Sequence, residues 1–142
     1  MGFGQSVRTC LSKYGTFSGR ASRSEFWWFY LFNILIVGIP AMLGAIFFIS
    51  AVSTDPGAVE SSGSLGGLGV LGVILYAVAG IAALALFIPN LAVGCRRLHD
   101  RGTSGWLLLL MLVPCASIVL LVFYLLEGTR GENIYGPDPT TA

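Results

Sequence analysis

Three long apolar runs constrain this chain more than any other feature. Phe26 to Ser50 is 25 residues without a charged side chain, Leu68 to Gly94 is 27, and Trp106 to Leu126 is 21. A helix crossing ~30 Å of hydrocarbon needs about 20 residues at 1.5 Å each. Lipid offers no partner to backbone N–H and C=O groups, so a run that spans it is helical. Charged residues make up only 11% of the chain, against roughly 25% in soluble domains, so there is too little charge to coat a soluble fold. The expected fold class is an all-α integral membrane protein. It is a single domain, 1–142, built as a small bundle of about three transmembrane helices.

The segments between the runs set an expected order. Residues 1–25 form a polar segment, 26–50 the first span, 51–67 an outer loop and 68–94 the second span. Residues 95–105 form a compact polar loop, 106–126 the third span and 127–142 an irregular tail rich in Gly, Pro and Asp. Positive residues stay on cytoplasmic flanks. The first segment holds Arg8, Lys13, Arg20 and Arg23, and the second loop Arg96, Arg97 and Arg101. The 51–67 loop has no Lys or Arg, and the tail has only Arg130. The N-terminus and the arginine loop are therefore expected in the cytoplasm. A full third crossing would carry the tail outside, whereas a re-entrant segment around Pro114 would keep it inside. Trp27, Trp28, Tyr30 and Trp106 belt the cytoplasmic edge, and Phe123 and Tyr124 are expected to mark the other. The first run has the length of an uncleaved span, although Ala51-Val52-Ser53 faintly resembles a cleavage site.

Several chemistries find no support. Cys10, Cys95 and Cys115 are an odd, scattered set and not a disulfide framework. Cys95 and His99 would form an i, i+4 pair if the second helix continued through the loop, but a zinc site needs further ligands, so no metal and no cofactor are expected. Ser104, His99 and Asp100 are sequence neighbours without a nucleophile elbow, and no catalytic residue is assigned. No extended basic patch suggests nucleic acid. No acid, lysine or arginine lies inside a run, as coupled transporters usually require.

Each run carries one proline, Pro40, Pro89 and Pro114. A proline frees the carbonyl four residues earlier, here that of Ala85 for Pro89 and of Leu110 for Pro114. Asn33 and Asn90 reach a similar depth and form a candidate interhelical polar layer. In the second run Gly69, Gly72, Tyr76, Ala79, Ala83, Leu86 and Asn90 fall on one helix face. In the first, Phe26, Tyr30, Asn33, Val37, Pro40 and Gly44 do so. Small residues on such a face permit close helix approach.

Three polar stretches remain: Gly19-Arg20-Ala21-Ser22-Arg23-Ser24-Glu25-Phe26-Trp27-Trp28, Arg96-Arg97-Leu98-His99-Asp100-Arg101-Gly102-Thr103-Ser104-Gly105-Trp106, and Gly128 to Pro139 (GTRGENIYGPDP). In this order they resemble the bacterial inner-membrane family called "domain of unknown function 805", over about Phe17 to Pro139. Ile134 departs from it, standing where the family often has a basic residue. The resemblance implies a multi-pass bacterial plasma-membrane protein and no particular activity.

Arg20, Arg23, Arg96, Arg97 and Arg101 are a candidate site for an anionic lipid headgroup, because the guanidinium fork suits phosphate. The competing reading is that they set topology and pair with Glu25 and Asp100. His99, Asp100 and Trp106 are motif residues without an assigned role. The leading functional expectation is a non-enzymatic accessory, scaffold or lipid-interacting membrane protein. Its partners would be the bilayer, anionic lipid, and a second copy or another membrane protein. The alternatives are a subunit of a small oligomeric transporter or channel, and an enzyme acting on lipid-linked substrate through Arg96, Arg97, His99 and Asp100.

Overall fold

The computed structural model describes residues 1–54, 66–113 and 115–140. Asp55, Glu60 and Pro114 lie outside them. Among the described residues the chain is helical, and its one β-bridge joins Asn133 to Gly136 in the tail. Contacts divide it into two compact units, Met1–Leu31 with Phe87–Ala142, and Phe32–Leu86.

The polar N-terminal segment holds a helix, α1 (Phe3–Ser12). Ser6 and Cys10, four apart, form its buried face, and Gln5 and Arg8 are exposed. Phe3 meets Trp28 edge-on at 5.8 Å. A continuous helical run follows, from Arg23 to Thr54. It comprises α2 (Arg23–Asn33), a wide π segment (Ile34–Gly38) and α3 (Ile39–Thr54). In the π segment the N–H of Ile39 donates to the carbonyl of Ile34. This wide turn directly precedes Pro40, which has no N–H to continue the regular ladder.

Helix α4 (Gly67–Asp100) has 34 residues. At 1.5 Å each it is ~51 Å long, well beyond the hydrocarbon thickness. It therefore extends through Cys95–Asp100, where the sequence suggested a loop. A Schellman turn ends it: Gly102 N–H donates to His99 O (2.9 Å) and Thr103 N–H to Leu98 O (3.2 Å). Gly102 sits at φ +68°, the left-handed conformation this cap requires.

Within the Phe32–Leu86 unit, α3 and α4 touch backbone to backbone. A Cβ on Gly44 would lie 2.8 Å from Gly72 O, and one on Gly72 would lie 2.7 Å from Phe48 N. The two small-residue faces expected from spacing thus meet at these glycines. Gly69, Gly72, Ala79 and Leu86 are buried, whereas Tyr76 and Ala83 are exposed.

The third apolar run does not form one spanning helix. It folds as a 3-10 helix (Gly105–Leu112) and, after a break, α5 (Ser117–Leu125). Val113 is extended, at φ −108° and ψ 110°. A residue before proline is driven to this region because the ring clashes with a helical predecessor. The Leu110 carbonyl, expected to be left open, accepts the N–H of Val113 at 3.1 Å. Ala85 is not without a partner either. Of the described helices, only Arg23–Thr54 and Gly67–Asp100 are long and apolar enough to cross a membrane.

Candidate functional site

The unit formed by Met1–Leu31 and Phe87–Ala142 contains a polar cap built from all three motif stretches. Its base is α2. Ser22 caps this helix, its Oγ accepting the N–H of Glu25 at 3.2 Å. The Glu25 side chain does not turn back to complete a capping box. It accepts a hydrogen bond from Arg96 Nη1 at 2.7 Å, and Cys10 Sγ lies 3.6 Å from the same oxygen. Both members of the Glu25–Arg96 pair are buried.

Asp100 is the second anchor. Arg20 Nε donates to its Oδ1 at 2.9 Å, and Arg97 Nη1 donates to Oδ2. Three buried guanidinium groups thus face two buried carboxylates. Arg20, Arg97 and Arg101 also donate to backbone carbonyls, whereas Arg96 Nε and Nη2 and Arg97 Nε are buried without a hydrogen-bond partner among the described residues. Arg20 donates to the carbonyls of Thr129, Gly131 and Gly136. Arg97 donates to Leu126 O and Arg101 to Glu127 O. These last two lie just past α5, where helical carbonyls lack partners and the helix dipole favours a cation.

The tail returns the service to α4. Thr129 gives its N–H (2.8 Å) and hydroxyl (2.9 Å) to the Asp100 carbonyl. Asn133 Nδ2 donates to His99 O at 3.0 Å, and its Oδ1 accepts the N–H of Tyr135 at 2.9 Å. Tyr135 then lies flat on the His99 ring, centroids 3.9 Å apart and planes 3° from parallel. His99 Nδ1 is 3.2 Å from Gly19 O. A carbonyl only accepts, so Nδ1 is the donor of this bond, and Nε2 lies 3.6 Å from Cys95 Sγ. Gly128 presses on Asp100 so closely that a Cβ there would fall onto the carboxylate.

Tyr124 and Phe123 are placed otherwise than expected. Tyr124 packs on Phe26 at 4.4 Å, and the Arg101 guanidinium lies 6.0 Å from the Phe123 ring centre. Both therefore belong to the arginine-rich edge. The tail, expected across the membrane from the arginine loop, is bonded to it. Of the two courses left open for the third run, the re-entrant one around Pro114 is the one compatible with these bonds.

Of the five candidate headgroup arginines, Arg20, Arg96 and Arg97 are buried among protein partners. Arg101 is half-buried, and Arg23 keeps 48% of its side chain exposed. Trp106 is 80% exposed, its N–H held by Ser104 Oγ at 3.3 Å. Asn33 belongs to one unit and Asn90 to the other. Among the described residues no group of three or more His, Cys, Asp or Glu could hold a metal. The sequence assigns no individual role to Ser22, Thr129, Asn133 or Tyr135, although the last two stand in the Gly- and Pro-rich tail motif. The S-x-x-E spacing of Ser22 and Glu25 is a readable signal of the first.

Cys10 permits a direct check on this packing. Burial, and then the nearby Glu25 carboxylate, push its thiol from 9.0 up to about 12. A raised thiol pKa keeps the neutral form in the fold. The stability it contributes is complete below 9.0 and is lost as pH rises toward 12. Iodoacetamide should leave Cys10 unmodified at pH 8 until the protein is denatured. Replacing Cys10 with Ala should flatten the alkaline part of a stability–pH curve measured in detergent.

A family model described as "Protein of unknown function (DUF805)" matches residues 14–137. The inner membrane protein YhaI of Escherichia coli (strain K12) is 39% identical over 130 residues, covering 91% of this chain and 90% of its own. The inner membrane protein YhaH of the same strain is 35% identical over 130 residues, covering 91% of each. No solved structure matches.

Proposed function

The chain belongs to the family described as protein of unknown function (DUF805) and is an inner membrane protein. From that premise we propose a non-enzymatic accessory or scaffold protein. It is anchored by two full spans and a re-entrant helical hairpin, and it presents a rigid polar cap to the cytoplasm.

One observation carries this reading: the buried charged side chains of the motif stretches, Arg20, Glu25, Arg96, Arg97 and Asp100, are paired with one another. Asp100 holds two guanidinium groups, and His99 lies between Gly19, Cys95 and Tyr135. Such residues lock a shape and leave no poised acid–base pair facing a cleft. Lengths and charge support the membrane arrangement. Eight residues of 3-10 helix rise ~16 Å and nine of α-helix ~14 Å, each about half the hydrocarbon core. With the tail beside the arginine loop, all eight Lys and Arg residues fall on one side, as the positive-inside rule requires.

Fusions to the C-terminus test the arrangement. Green fluorescent protein there should fluoresce and alkaline phosphatase should be inactive; the reverse pattern overturns the hairpin. The scaffold role is tested by placing a photo-crosslinker at Ile134, which is 87% exposed at the tip of the tail. A discrete protein adduct in intact cells is expected. Adducts with lipid alone, and no protein adduct, would sink the role.

A further inference from the structure

Beside the ion-paired centre of the cap lies an open cleft of about 440 Å³. Arg23, Ser24, Glu127, Arg130 and Asp138 are among its walls, with Asp100 at one side. Its volume is in the range of small-molecule sites. Two features set its depth: Arg23 is the first residue of α2, and Glu127 stands two residues past the end of α5. α2 is apolar from Phe26 to Phe32 and α5 is apolar throughout but for Ser117, so on the membrane arrangement proposed above the cleft lies in the headgroup layer.

The cleft carries both signs of charge. Asp100 is already neutralised by Arg20 and Arg97. Arg23 and Glu127 are 4.0 Å apart, with 48% and 75% of their side chains exposed, a loose pair that a ligand can open at little cost. The first turn of α2 adds the positive end of a helix dipole beside Arg23. The Asp138 carboxylate accepts from Thr140 N (2.9 Å), Thr140 Oγ1 (2.6 Å) and Gly131 N (3.1 Å). These bonds orient it and hold it ionised, with a pKa lowered to about 2. A simple anion would meet Glu127 and Asp138, and a simple cation would meet Arg23 and Arg130. A ligand with both charges on adjacent groups avoids both repulsions.

We propose that this cleft binds a phosphoethanolamine headgroup of a phospholipid, its phosphate taken by Arg23 and Arg130 and its ammonium by Glu127 and Asp138. The guanidinium fork matches phosphate oxygens, and a primary ammonium supplies donors that a trimethylated one lacks. The inference rests on the cap lying at headgroup depth. It does not depend on a protein partner.

The test uses the purified full chain in a non-ionic detergent, with thermal stability as the readout. It is titrated with dihexanoyl phosphatidylethanolamine, the matching phosphatidylglycerol and phosphatidylcholine, and free O-phosphoethanolamine. The ethanolamine lipid should act at about tenfold lower concentration than either other lipid, the gain of one additional charged hydrogen-bonding contact. Glu127→Gln should abolish that preference. Arg23→Gln with Arg130→Gln should weaken all three lipids. All these side chains are at the surface, and unliganded stability near wild type verifies folding. Equal responses to the three lipids, or a preference for phosphatidylglycerol, overturn the proposal. An equal response to free O-phosphoethanolamine overturns the lipid as the source. Because the titration is done in detergent, it can fail while the fusion reporters still support the membrane arrangement.

Discussion

Replacing Asp100 with asparagine should destabilise the protein by about 3–5 kcal/mol, the typical cost of stranding a buried charge. The substitution keeps the shape and removes the charge that holds Arg20 and Arg97. Both guanidinium groups would remain buried with one counter-charge fewer. The loss should appear as a lower melting temperature in detergent. It should also appear as faster trypsin cleavage after Arg130, because Arg20 grips the tail on either side of that residue, at Thr129 and Gly131. Glu127→Gln is the control, since its 4.0 Å pair with Arg23 is exposed and such pairs contribute about 0–1 kcal/mol. Equal effects of the two substitutions would refute the view that the cap is held by its buried pairs.

The second large effect concerns Gly72, where the sign of a substitution should invert. On an unpacked helix Gly→Ala is favourable by about 1 kcal/mol. At Gly72 the new Cβ would meet Phe48 N at 2.7 Å and Gly44 O at 2.8 Å. These are backbone atoms and cannot rotate away, so α3 and α4 must separate. Overpacking of this kind costs typically 1–3 kcal/mol, more than the propensity gain. Gly72→Ala is therefore expected to lower the melting temperature in detergent, and Gly72→Val to lower it further. Gly80→Ala, in the same helix with nothing within 4 Å of the new Cβ, should leave it unchanged or raise it. Parallel behaviour at the two positions would exclude the close crossing.

Gly44 and Gly72 also show what was legible from spacing. Each stood on a small-residue face readable from the 3.6-residue period, and the faces meet there. Glu25 and Asp100 were readable as partners for the arginines on charge alone. The oxygen each arginine would choose was not. A guanidinium fork suits a phosphate, a carboxylate or a run of carbonyls equally well, and Arg20 takes carbonyls more than 100 residues away in sequence. Nothing local to Arg20 encodes Gly131 or Gly136. The stacking of Tyr135 on His99 was hidden for the same reason.

The three apolar runs end on unequal terms. Length, absence of charge and the backbone's need for internal partners determined by themselves that this chain is helical and membrane-embedded. Lys and Arg placement set the expectation of which segments share a side. The fate of the third run was decided by tertiary structure, because hydropathy counts residues and does not register direction. Val113, extended before a proline, breaks the helix, and the returning arm is held by Arg97 and Arg101 on Leu126 and Glu127. Those bonds join residues that are distant in sequence, and they bring the tail back to the cap.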